Sequence, residues 1–132
     1  MKFHPIGFSR SQIKHRSGAP RQGREGAPNA ELEIVPRYRQ ALHRMRVGDD
    51  IIIITWLHHA RRDVLKVHPR GNRVTPLTGV FSTRSPDRPN PVGLHRVKVL
   101  KNRAGKLLIG PMEAIDGTPV IDIKPVIKSK DY

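Results

Sequence analysis

The chain has no cysteine among its 132 residues. That absence removes disulfides, cysteine-ligated zinc and thiol nucleophiles together. Acidic residues are scarce, with 11 Asp and Glu against 25 Lys and Arg, a formal charge of +14. Aromatics make up 5% of the chain: Phe3, Phe8, Tyr38, Trp56, Phe81 and Tyr132. So sparse a set does not supply the strand-borne stacking pairs of single-strand RNA binders. No window approaches 18 consecutive apolar residues, and the opening M-K-F-H-P-I-G-F lacks the apolar stretch of a secretory signal. A soluble, cytoplasmic protein with no membrane contact is expected. No G-x-G-x-x-G follows a strand, and neither a P-loop nor an H-E-x-x-H run occurs. Dinucleotide binding of the usual kind, P-loop hydrolysis and zinc proteolysis are therefore disfavoured. His58, His59 and His68 fit no common ligand spacing, so no metal is expected.

What is present is positive charge, unevenly spread. Residues 58–106 hold twelve Lys and Arg against two Asp, whereas residues 107–132 hold three basic residues against four acidic ones. A balance of this kind draws a protein to phosphate polymers by counterion release. RNA is the expected partner, with Arg10, Arg16, Arg24, Arg61, Arg62, Arg73 and Arg88 as candidate phosphate contacts.

The pattern of apolar residues predicts short strands rather than strand–helix alternation. Strands are expected over Lys2–Phe8, Glu31–Val35, Asp63–His68, Leu94–Leu100, Lys106–Ile109 and Pro119–Lys124. The run I-I-I-I-T-W-L at 51–57 shows no alternation and reads as a strand buried on both faces. In Leu94–Leu100, Leu94, Val97 and Val99 read as the main apolar members. One short helix is expected over Pro36–Arg46, where Tyr38, Ala41, Leu42 and Met45 fall on one face and Pro36 is tolerated in the first turn. Asn102–Gly105 reads as a hairpin turn and Asp116-Gly117 as another. The sum is an all-β barrel or strongly curved sheet in a single domain.

One stretch stands apart: G-V-F-S-T-R-S-P-D-R-P-N-P-V-G from Gly79 to Gly93. Proline fixes φ and removes a donor, and each residue before a proline is pushed toward extended backbone. The stretch is a stiff loop with little entropy left to lose when it meets a ligand. Arg84 and Arg88 on it suit a carboxylate or a phosphate. Further on, Glu113, Asp116 and Asp122 are either turn chemistry or a site for a cationic small molecule; spacing leaves both open.

With three other stretches, this loop resembles the TsaA-like family, the TrmO-type tRNA methyltransferases. The matching pieces are I-G-F-S-R-S at 6–11, P-R-Q at 20–22, G-V-F-S-T-R-S-P-D-R-P-N-P-V-G-L at 79–94 and D-G-T-P-V-I-D-I-K-P at 116–125. The resemblance implies a single-sheeted β-barrel that binds S-adenosylmethionine and works as a homodimer with the cofactor site near the interface. It implies N6-methylation of threonylcarbamoyl-adenosine beside the anticodon of tRNA. The implied cofactor contacts are Pro20, Arg21, Gln22, His58, His59, Arg84, Leu94 and the stretch Met112, Glu113, Ala114, Ile115 and Asp116. His59, Asp116 and Asp122 are candidates to take the proton from the acceptor amine. The chain departs from the family pattern at Asp49-Asp50-Ile51, in the loop from Arg70 to Leu77 and at Glu113-Ala114-Ile115-Asp116. It is also expected to lack the C-terminal extension of larger members. A non-enzymatic RNA-binding module, or a methyltransferase with a different RNA or small-molecule acceptor, are the competing expectations.

Overall fold

The computed structural model describes residues 1–16 and 26–127. Six antiparallel strands close into a barrel in the order β1 (Gly7–Arg10), β2 (Ala30–Ile34), β7 (Lys106–Gly110), β6 (Val92–Arg103), β3 (Asp50–Trp56) and β8 (Pro119–Pro125). Strands β4 (Lys66–Val67) and β5 (Thr78–Gly79) pair with each other outside it. The expected all-β barrel with one short helix is what the chain forms.

Closure pairs both edges of every barrel strand and gives each of them one inward face. That geometry corrects the reading of 51–57. Ile51, Ile53 and Thr55 are buried, while Ile52, Ile54 and Trp56 are only partly covered on the outside. The same alternation corrects β6. Val97 and Val99 point inward in phase with Gly93 and His95, so Leu94 lies on the outer face at 51% exposure.

Other elements shift for local reasons. Pro5 has no N–H to give a ladder, and the first strand runs Gly7–Arg10 rather than Lys2–Phe8. The helix is a 3₁₀ segment, Pro36–Leu42, with Tyr38, Leu42 and nearby Met45 against the core and Ala41 exposed. Of Asp63–His68 only Lys66–Val67 pairs. The hairpin at Asn102–Gly105 forms, with Ala104 and Gly105 at positive φ. Asp116-Gly117 turns the chain but joins no hairpin, because β8 inserts between β3 and β1 and away from β7.

The interior is graded from one pole to the other. Leu32, Ile34, Ile51, Ile53, Val97, Val99, Leu107, Ile109 and Val120 fill most of it. Each such side chain contributes about 1.5–3 kcal/mol by leaving water. At the pole where β1, β3 and β7 end and β2, β6 and β8 begin, buried polar groups replace them: Ser9, Thr55, His95 and Thr118. A barrel that turns polar at one end has spent core volume on something other than stability.

Candidate active site

The proline-rich loop is built by its own arginine. Arg88 donates from Nε to the Ser85 carbonyl (2.8 Å) and from Nη2 to the carbonyls of Val80 and Thr83 (both 2.6 Å). Prolines cannot donate across the loop, so a guanidinium with several fixed donors closes it instead.

The loop is then fastened to the segment that leaves β3. Arg62 donates from Nε to the Pro89 carbonyl (2.7 Å) and from Nη2 to Asn90 Oδ1 (3.0 Å), with its guanidinium 5.1 Å from the Trp56 ring centroid. The Leu57 N–H donates to the Pro91 carbonyl, and the Arg88 N–H to the Arg61 carbonyl. Asp87 accepts from the Arg61 N–H (2.8 Å) and from Arg16 Nη2 (2.9 Å).

Desolvation pushes the Asp87 carboxyl up, but the bonds from Arg16 and Arg61 outweigh it and hold it below the ordinary carboxylate range. Its stabilising contribution is thus present above the unfolded-chain value of 3.8 and fades as pH falls through the lower folded value. Trp56 fluorescence should report loop release below that range. Asp87→Asn should give the released signal already at neutral pH; an acid transition identical to the parent's would contradict the assignment.

Beneath the loop lies a buried polar chain. Thr55, His95 and Glu113 come from β3, β6 and the segment after β7. His95, 4% exposed, places Nε2 2.7 Å from Thr55 Oγ1 and Nδ1 2.6 Å from Glu113 Oε1. A donating Nδ1–H fixes the Glu113 carboxylate, and Nε2 then accepts from the threonine hydroxyl. Gly93 makes room for this pair: a Cβ there would collide with Thr55 Oγ1 and His95 Nε2.

The turn before β8 completes the pole. The Ile115 carbonyl accepts from Ser9 Oγ (3.1 Å) and from Thr118 Oγ1 (2.5 Å). Asp116 accepts from the Ser11 N–H (2.9 Å) and pairs with Lys14 (3.2 Å). The Ser11 N–H, more than Lys14, holds the Asp116 carboxyl below its usual range. A broad cleft opens between the loop and this turn, lined by His58, His59, Arg84, Gly93, Glu113 and Ile115 among others.

The tRNA-methyltransferase O N-terminal domain model matches residues 8–132. The chain belongs to the TrmO family. It is 45% identical over 132 residues to a probable S-adenosyl-L-methionine-binding protein of Methanothermobacter thermautotrophicus, covering 99% of this chain and 93% of that one. It is 43% identical over 124 residues to an S-adenosyl-L-methionine-binding protein of Archaeoglobus fulgidus, covering 94% and 88%. The structure of TrmO from Pseudomonas aeruginosa superposes with a TM-score of 0.78 at 30% identity, over all of this chain and 57% of that one. The present chain therefore spans little more than half of that TrmO.

Within the TrmO fold the expected residues separate into groups. His58, His59, Arg84, Glu113, Ala114 and Ile115 line the cleft, and Leu94 reaches its rim from the outer face of β6. The His58 and His59 rings meet edge to face at 4.2 Å. Desolvation and then the neighbouring His59 push the His58 imidazole below its ordinary value. Met112 is fully buried in the core and does not line the cleft. Asp116 lines a smaller hollow with Ser11 and Lys14, apart from the main cleft. Asp122 pairs with Lys124 (3.0 Å) opposite outward-facing Ile54 and stands off the cleft. Pro20, Arg21, Gln22 and Arg24 lie outside the described residues.

The arginines expected to meet RNA are mostly occupied. Arg10 pairs with Glu33, Arg16 with Asp87 and Arg61 with Asp63. Arg62 and Arg88 give donors to the loop's own carbonyls and to Asn90. Of the set, Arg73 alone is exposed without such a bond among the described residues.

His95 and Thr55 went unread in the sequence although a signal existed. In V-G-L-H-R-V-K-V, Val97 and Val99 share parity with His95 and not with Leu94. Among the described residues no group of three or more His, Asp or Glu is disposed to hold a metal. No helix there is long and apolar enough to cross a membrane.

Proposed function

We propose that the chain is an S-adenosylmethionine-dependent tRNA methyltransferase that modifies N6 of threonylcarbamoyl-adenosine beside the anticodon. One observation carries the reading: the arginine-closed loop, through residues 81–88, and the turn before β8, through Glu113, Ala114, Ile115 and Thr118, line a single cleft. The residues there suit this cofactor, whose groups are a sulfonium, an ammonium, a carboxylate and an adenosine. Glu113, fixed by His95, offers a carboxylate to a cation. Arg84 is exposed on the loop with no hydrogen bond or ion pair among the described residues, so it suits the carboxylate.

The cofactor, when bound, supplies a methyl group activated by its sulfonium. The protein's part is position, charge and exclusion of water. The loop arrives pre-ordered by Arg88 and Arg62, so little entropy is lost on binding. Of the three candidates to take a proton from the acceptor amine, His59 opens onto the cleft, whereas Asp116 is held ionised by its donors and Asp122 faces elsewhere. His59 is therefore the base of this proposal.

A homodimer belongs to the same reading. Leu94 lies opposite Ile54, and Val92 opposite Trp56, on the outer face beside the cleft. Val92 and Leu94 are 44% and 51% exposed, an apolar stripe that a second copy would cover. Light scattering should give twice the 14.9 kDa chain mass; a monomer would remove this part.

The deciding assay is transfer of labelled methyl from S-adenosylmethionine to tRNA with and without the threonylcarbamoyl group. Label is expected on the modified tRNA only. Equal labelling of both would favour a different RNA acceptor. Cofactor binding without any labelling of tRNA would favour a small molecule.

A further inference from the structure

Most of the arginines first expected to meet RNA spend their charge inside the protein, so the exposed cations with no ion pair must be sought elsewhere. Among the described residues, Lys66, Arg73 and Arg84 are such cations on the cleft side, and a larger group lies at the pole of the barrel opposite the cleft. Arg37, Arg44, Arg46, Lys101, Arg103 and Lys106 are all exposed there, and none forms an ion pair among the described residues. The acids nearby are engaged: Asp49 accepts from the Arg46 N–H, Asp50 pairs with Lys98, and Glu33 pairs with Arg10.

Two segments, distant in sequence, make this one surface. The 3₁₀ helix and the turn after it lie against the β6–β7 hairpin. Ile34 N–H donates to the Gly105 carbonyl (2.9 Å), and Asn102 Nδ2 to the Met45 carbonyl (3.0 Å). Arg39 donates from Nε to the Ile34 carbonyl (3.2 Å) and lies so close over Gly105 that a Cβ there would strike it. The platform is therefore held by main-chain and side-chain bonds that leave the six cations outward.

Arg44 adds a second observation. It sits at φ 71°, a left-handed backbone where glycine or asparagine costs less. An exposed arginine at a strained turn fits a use for its side chain.

We infer that this opposite pole is a second RNA-binding surface, one that grips the phosphate backbone of the acceptor away from the reacting nucleotide. The inference rests on the tRNA reading above. Between the poles, Arg96 continues the positive charge along the outer face of β6, where Lys98 is already paired with Asp50. The seven residues of β3 set the distance at about 20 Å, at roughly 3.3 Å per residue. An RNA arm of a few nucleotides spans that. Contacts to phosphate fix register and add affinity without reading sequence.

The test is tRNA binding by fluorescence anisotropy, without cofactor, across a salt series. The variant combines Arg44→Asn, Arg46→Ala, Lys101→Ala and Arg103→Ala; asparagine is chosen because it tolerates the left-handed backbone. Affinity is expected to fall about 30-fold at low salt, and the slope of log K against log salt to shrink by about three. S-adenosylmethionine affinity and the thermal midpoint should stay at the parent's values, which reports an intact fold. Parent-like affinity and slope in the variant would overturn the surface and leave the methyltransferase reading standing. Absence of tRNA binding by the parent itself would remove the acceptor reading and the surface with it.

Discussion

Arg88→Ala should weaken S-adenosylmethionine binding about 50-fold while the barrel stays folded. Arg88 holds the carbonyls of Val80, Thr83 and Ser85 at once, and no other side chain among the described residues reaches all three. Hydrogen bonds from a charged donor contribute roughly 1.5–3 kcal/mol each when the site is dry. This one is only partly buried, so a total of about 2–3 kcal/mol of loop order is the reasonable scale. None of that energy belongs to the barrel, whose core lies on other strands. Titration calorimetry beside thermal melting separates the two effects. Arg88→Lys should recover little, because an ammonium cannot hold three carbonyls in a fixed plane. Undiminished affinity in Arg88→Ala would show that the cofactor does not use the closed loop.

The second large effect is at His95, and it divides differently. His95→Ala leaves the fully buried Thr55 hydroxyl and the Glu113 carboxylate without their partner and opens a void. A loss of about 3 kcal/mol in unfolding free energy is expected, from one unsatisfied buried group plus a cavity. Cofactor affinity should fall about tenfold, because Glu113 is no longer fixed. His95→Asn keeps a donor near the Nδ1 position and should restore most of the affinity while leaving stability reduced. That split between binding and stability is what a purely structural histidine would not produce. Equal recovery of both, or of neither, would refute the positioning role.

The fold was legible because alternation and turn chemistry are local. The hairpin at Asn102–Gly105 and the strands at β2, β7 and β8 follow from residues within a few positions of one another. The reading failed where closure of the barrel decides. Four consecutive isoleucines look buried on both faces until β6 and β8 flank them and leave one face outside. Leu94 reads as core beside Val97 and Val99, yet those two valines set the parity the other way and turn His95 inward.

At the site, the proline-rich loop and the stretch from Glu113 to Asp116 were visible as motifs. Their joining was not, since the bond from His95 to Glu113 crosses 18 residues and that from Ser11 to Asp116 crosses 105. Charge was the least legible property. A sequence reports that an arginine is present, but not that Arg62 or Arg88 spends its donors on carbonyls. The unengaged cations near Arg44 and Arg103 could be found only by subtraction.

Hydrogen exchange read by mass spectrometry, with and without S-adenosylmethionine, tests the central claim most directly. Residues 80–93 and 111–118 should gain protection together and over the same range of cofactor concentration, with the strands of the opposite pole unchanged. Protection of one segment without the other, or of neither, would contradict a shared cleft.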